Sequence, residues 1–157
     1  MDQVNTALEQ HEFIERCHSR QVHAMLAVPD LGTYTIGLTP KHGFEICTSI
    51  VDERLRQIIN EMVHCNRLQV NEVYECSTLE TIHDGPLRLR LVEVTDPVDR
   101  RFLIDHLLCQ ADLRYHLDDK RILCLEVGDR NNNLPGEPGY DLNFLQGVRR
   151  IRERVGH

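Results

Sequence analysis

Two short stretches of the chain carry side chains able to move a proton or grip a polar ligand. The first runs Tyr34-Thr35-Ile36-Gly37-Leu38 and continues through Lys41-His42-Gly43-Phe44-Glu45. His42 and Glu45 stand close together across a glycine break, a spacing that suits an acid–base pair or metal ligation. In an extended strand Tyr34 and Ile36 face one side, and Thr35 and Gly37 the other. Gly37 has no side chain, so a ligand or another backbone can approach there. The same residues also fit a β-turn with a solvated histidine and a glutamate paired to a nearby cation. The second stretch, Gly128 to Asp141, holds Asp129, Arg130, three asparagines, Glu137 and Tyr140. Its oxygens suit a hydroxylated ligand or a hard cation, but the closing glutamate of an EF-hand is not in its place. The alternative is a connector stiffened by proline and glycine. Glu45, Asp129 and His42 are the candidate catalytic groups. Tyr34, Thr35, Gly37, Arg130, Asn133 and Tyr140 are the candidate ligand contacts.

Other groups carry weaker signals. Arg88 with Arg90, and Arg100 with Arg101, are spaced to clamp a phosphate or carboxylate, or else face solvent. Arg149, Arg150, Arg152 and Arg154 form a basic stripe near the end. Nine histidines occur, yet no His-Glu-x-x-His or Cys-x-x-Cys spacing does, so no metal site is expected. Nucleophile-elbow, Walker and dinucleotide-binding motifs are absent from the sequence.

The elements that must position these residues follow from periodicity and breakers. A helix is expected over residues 1–20. Val22 to Val28 and Thr33 to Leu38 read as a hairpin around Pro29-Asp30-Leu31-Gly32. Phe44 to Ile50 makes a third strand. Asp52 then caps a helix whose Leu55, Ile58, Ile59, Met62 and Val63 share one face. Leu68 to Ser77 and Leu87 to Thr95 read as strands around a turn at His83 to Pro86. Asp96-Pro97 opens a helix that ends before Asp118. Arg121 to Val127 is a continuous apolar run, fit for a central strand. The loop 128–141 follows, and a helix and tail occupy 142–157. Strands outnumber helices without alternating strictly, so the expected fold is α+β. One domain, residues 1–157, carries a twisted, mostly antiparallel sheet, curled toward a half-barrel, with two to four helices.

Size and composition bound the function. A chain of 157 residues suits one core. Net charge is −7, which argues against general nucleic-acid binding, because such binding needs clustered cations. No apolar run reaches the length of a membrane span. The polar start, Met1 to Gln10, lacks the plan of a secretion signal, so the cytoplasm is the expected location. The six scattered cysteines are expected to be reduced thiols.

Taken together, Tyr34 to Leu38, Glu45-Ile46, Asp129-Arg130, Pro135 and Pro138-Gly139-Tyr140 resemble a largely bacterial domain-of-unknown-function family, number forty-two sixty-two. Their order covers roughly Val22 to Gln146. The family places His-Pro directly before its glutamate, where this chain has Gly43-Phe44, with His42 one place early. The family also carries tryptophans, and this chain has none. The resemblance implies the fold and a pocket location, not an activity. More loosely, the early strand–strand–strand–helix run is similar to flavin-binding split barrels, which hold a phosphate near a strand–helix turn. That resemblance implies Thr48, Ser49 and Arg54 as phosphate contacts.

The leading expectation is therefore a small-molecule-binding domain for a polar, nucleotide-like ligand. Its pocket would form where the two stretches fold against each other, and whether a reaction follows is open. No cofactor is identified. The rival is a protein–protein interaction module without catalysis, such as an inhibitor, an immunity factor or an assembly subunit. An exposed edge strand would also allow a homodimer.

Overall fold

A computed structural model describes residues 3–52, 54–80 and 86–156, with side chains from residue 8 onward except those of 77–80. The chain opens with helix α1 (Gln3–Ser19) and the hairpin β1 (Ala24–Val28) and β2 (Gly32–Ile36). A single helical turn, α2 (Thr39–His42), leads into β3 (Phe44–Thr48) and helix α3 (Arg54–His64). Strands β4 (Val73–Glu80) and β5 (Pro86–Glu93) precede helices α4 (Pro97–His106) and α5 (Cys109–Tyr115). After a tight turn at Leu117–Asp119 come β6 (Arg121–Val127), a long irregular segment, and α6 (Val148–Val155). One six-stranded sheet results, in the order β1-β2-β3-β6-β5-β4. Among the described strands only β3 and β6 run parallel; the other strand pairs are antiparallel. The fold is α+β and the sheet is open, with β1 and β4 at its edges.

Both faces of the sheet are covered, which explains why β6 reads as an unbroken apolar run. Ile122 and Cys124 join Ile14, Tyr34, Phe102, Leu103 and Ile151 in a core roofed by α1, α4, α5 and α6. Leu123, Leu125 and Val127 join Phe44, Ile46, Leu89 and Leu91 in a second core beneath α3. Leu55, Ile58, Ile59 and Met62 of α3 are all buried, each worth about 1.5–3 kcal/mol of apolar transfer. Asp52 holds the start of that helix, its Oδ1 accepting from the Arg54 N–H at 2.9 Å. Asp96 does the same for α4 through Asp99, 3.0 Å away.

Three expectations need correction. The described residues hold six α-helices rather than two to four. One extra is the α2 turn; another arises because the helix after Pro97 breaks at Leu107, which lets consecutive Leu107 and Leu108 both reach the core. The fourth strand begins at Val73 instead of Leu68, because Asn66 and Asn71 adopt left-handed backbone. The last helix begins at Val148 instead of near Leu142. Gly147, with φ 71° and ψ −150°, holds a conformation that side-chain-bearing residues avoid, and helix can start only after it. The turn at His83 to Pro86 lies, except for Pro86, outside the described residues.

Candidate functional site

Glu45 points away from the α3 core and is entirely buried. Its Oε1 accepts from the Thr35 hydroxyl at 2.7 Å and the Leu38 N–H at 3.3 Å. Its Oε2 accepts from the N–H groups of Gly37 at 3.2 Å and Thr39 at 2.8 Å, and from the Thr39 hydroxyl at 2.6 Å. Thr35 in turn accepts from the Ile46 N–H at 2.8 Å, filling the gap where β2 leaves β3. The carboxylate therefore binds the strand-to-α2 corner, whose first backbone N–H groups have no helical partner. Burial pushes the Glu45 carboxyl up, against the pull of the Thr39 and Thr35 hydrogen bonds. With every oxygen engaged, Glu45 has no lone pair turned toward an open cavity.

The rest of the first stretch is equally internal. Tyr34 is buried in the core, and burial, with Cys109 nearby, lifts its phenol to about 12. Gly37 has φ 122°, and a Cβ placed there would lie 2.8 Å from the His23 Cα, so the close approach is made by the protein's own backbone. His42 ends α2 with its ring centroid 5.6 Å from that of Phe44; burial and then Lys41 lower its pKa. No hydrogen bond or ion pair joins His42 to Glu45.

At the other stretch, Asp129 organises the loop. Its Oδ1 accepts from the N–H groups of Asn131 at 2.9 Å and Asn133 at 3.0 Å, and its Oδ2 from Asp141 at 2.6 Å. Burial raises the Asp129 carboxyl, but the hydrogen bonds from Asp141, Asn133 and Asn131 outweigh it and leave it lowered. Arg88 reaches from β5 to grip Glu137 through two 2.7 Å hydrogen bonds and also donates to the Asn132 carbonyl. That grip, with the Leu134 N–H, brings Glu137 down to about 2. Arg90 pairs with Glu126 and donates to the Pro135 carbonyl at 2.7 Å. The strand arginines that could have clamped a ligand thus clamp this loop. The Tyr140 hydroxyl donates to the Phe144 carbonyl and accepts from Gln146. Arg130 is exposed.

The two stretches do not meet. Glu45 lies beside Ile122 in the parallel β3–β6 pair, and antiparallel β2 delivers Gly37 to that same end. The loop leaves β6 beyond Val127, at the far end of the sheet. Glu45 and Asp129 are thus separated by a strand length, on the order of 20 Å. Among the described residues the two stretches form no joint pocket, because the parallel β3–β6 pair puts the start of one strand and the end of the other at opposite ends of the sheet.

Hollows occur elsewhere, around the turn that follows β3. One of about 340 Å³ is lined by Ser49, Ile50, Val51, Gln146, Arg150 and Arg154, among others. Ser49 is buried, and its hydroxyl accepts from the Gly147 N–H at 3.0 Å, tying the end of β3 to the start of α6. Arg154 donates to the carbonyls of Leu31 (2.8 Å) and Ser49. A larger hollow of about 570 Å³ lies between β1 and the start of α3, bordered by Met25, Ala27, Val51, Arg54 and Arg56. Val51, half exposed, is the ridge between the two. Of the expected phosphate contacts, Ser49 thus lines one hollow and Arg54 the other, where Arg54 is paired with Asp52 at 2.7 Å. Sequence reasoning missed Gln146 and Thr39; only the Thr39-Pro40 pair at a helix start pointed to the latter. It read Arg150 and Arg154 as part of a basic helix face that offsets the acidic body or meets a partner, and not as the border of a hollow.

Comparison of the chain with family models, with curated proteins and with solved structures finds no match.

Proposed function

We propose that this protein binds an anionic small molecule in the hollow at the start of α6, between the turn after β3 and residues 143–146. The observation that carries this reading is that Arg150 and Arg154 both line a recess of about 340 Å³, Arg150 held only by a solvated ion pair with Glu153, in a chain whose net charge is −7. A recess of that volume suits a small metabolite. Arg154 is half-anchored by two carbonyls, so its guanidinium is pre-oriented and keeps further N–H donors for a ligand. The first N–H groups of α6 add positive potential at the same place. A phosphate or carboxylate suits this set, and a nucleotide-like ligand is the leading class. Within this reading the protein is a binding domain, and Glu45 and Asp129 are structural anchors without a part in a reaction.

Thermal unfolding in the presence of inorganic phosphate, ATP and FMN tests the proposal. At least one anion should raise Tm, and Arg150→Gln should remove most of that rise while leaving the ligand-free Tm nearly unchanged. Absence of any stabilisation, or equal stabilisation of the variant, would count against it.

A further inference from the structure

The two edges of the sheet are built differently. β4 carries Glu75 and Glu80, follows Glu72, and its register with β5 shifts between Cys76 and Glu80. Charges and irregularities of that kind are how natural edges resist pairing with another chain. β1 has neither: Ala24-Met25-Leu26-Ala27-Val28 contains no charge and no proline, and it pairs with β2 over five consecutive residues without a shift. In such a strand alternate residues turn their N–H and C=O groups away from the partner. Among the described residues, the only other hydrogen bond to the β1 backbone is the Leu31 turn at Val28. Beside this edge lies the 570 Å³ hollow, bordered by the consecutive Met25, Leu26 and Ala27 and by Arg54 and Arg56 of α3.

We propose that β1 is a docking edge that takes an extended, acidic segment of a partner protein as a seventh strand, with a carboxylate of that segment on Arg56 and Arg54. Strand addition draws affinity from main-chain hydrogen bonds and specificity from alternate side chains dropping into a neighbouring recess. The apolar borders Met25, Ala27 and Val51 accept an aliphatic residue, and the rim supplies the charge. Arg56 enters no ion pair among the described residues. Arg54 is paired with Asp52 at the rim of the same hollow, a contact with the Arg54 side chain 62% exposed that a second carboxylate can share. A second copy of this chain is a poorer occupant. An antiparallel β1–β1 junction about a two-fold axis would bring Arg54 and Arg56 of both copies onto one face, and like charges repel.

The test pans a phage-displayed library of random linear peptides on the intact protein at low salt. Enriched peptides should pair Asp or Glu with alternating apolar residues. A synthetic copy of one should slow hydrogen exchange of the 24–28 backbone and bind more weakly as salt rises. Arg56→Glu, on an exposed position, should weaken that binding about tenfold or more at unchanged Tm. Arg150→Gln, which serves the small-anion hollow, should leave it unaltered, so the two proposals fail separately. Enrichment without acidic residues, no enrichment, or binding that leaves β1 exchange untouched would overturn the proposal. So would concentration-dependent protection of β1 in the protein alone, since that makes a second copy the occupant.

Discussion

At one end of the sheet Glu45 is sealed from water and held by two hydroxyls and three backbone N–H groups, with no cation among its hydrogen-bond partners. At the other end Glu137 keeps side-chain exposure of 29% and is held by the guanidinium of Arg88, while Asp129 beside it relies on backbone N–H groups. Burial makes this sealed carboxylate costly to ionise, its neutral donors offset only part of that cost, and the Glu45 pKa moves up. A cation on a partly wet carboxylate favours the charged form, and the Glu137 pKa moves down. Carboxylates of one chemical kind thus serve as staples at both ends with opposite responses to pH and different tolerance of substitution.

The largest effect should come from Glu45→Ala. It leaves three N–H groups, two of them fully buried, without an acceptor, at about 1–3 kcal/mol each, so a loss on the order of 4 kcal/mol is expected in urea unfolding. Glu45→Gln should be nearly as damaging. Both oxygens accept from backbone N–H groups, so the new amide NH2 must oppose a donor whichever way it is turned. A loss below about 1 kcal/mol for either variant would show that the corner is not held by this residue. Next in size is Thr35→Val, which deprives the Ile46 N–H of its acceptor and Glu45 of one donor. About 2 kcal/mol should be lost.

Glu137→Gln should cost less, about 1–2 kcal/mol, because water can replace part of the Arg88 contact. Its signature should be local: faster exchange across the loop with the amides of β6 unaffected. The pH response follows from the shifts. For Asp129 and Glu137, whose folded pKa values are lowered, the stabilisation is present above the ordinary carboxylate range. It is lost as pH falls, for Glu137 toward about 2. For Glu45, whose pKa is raised, the contribution is full below the ordinary range and is lost as pH rises above it. Acidification should therefore loosen the loop first and leave the α2 corner intact, as read by hydrogen exchange through an acid titration. Simultaneous loosening of both ends would contradict the assignment.

These contrasts also show what the sequence made legible. The hairpin, the Asp52 and Asp96 caps and the two-faced burial of β6 could be read from local spacing, since each depends on residues near one another in the chain. The chemistry of Glu45 and Asp129 could not. Glu45 stands in a buried strand and Asp129 in an irregular loop, yet the partners of both are chiefly backbone N–H groups, which every residue type but proline offers and no motif records. The destination of Arg88 depends on β5 lying beside β6, and the separation of the two stretches depends on β3 running parallel to β6. Strand order is a long-range property, and neither fact leaves a local trace. Arg150 and Arg154 were visible as charges, but the recess they border arises only in the fold, where Ser49 holding Gly147 and Arg154 holding the Leu31 and Ser49 carbonyls set α6 beside the turn.

The smallest expected effect is at Arg130, and it separates the loop from the proposed binding site. Arg130 is exposed and forms no ion pair among the described residues. Its neighbour Asp129 already holds the loop by backbone donors, so removing the Arg130 side chain takes away neither a staple nor packing. Arg130→Ala should change stability by no more than about 0.5 kcal/mol. If an anion binds at α6, the same variant should also keep the full ligand-induced rise in Tm that Arg150→Gln loses. If instead the loop itself gripped the anion, Arg130 would be the cation nearest to hand, and its removal would cut the rise at unchanged ligand-free Tm. Measuring both variants against the same anion decides which end of the residue pair, Arg130 or Arg150, carries the ligand's charge.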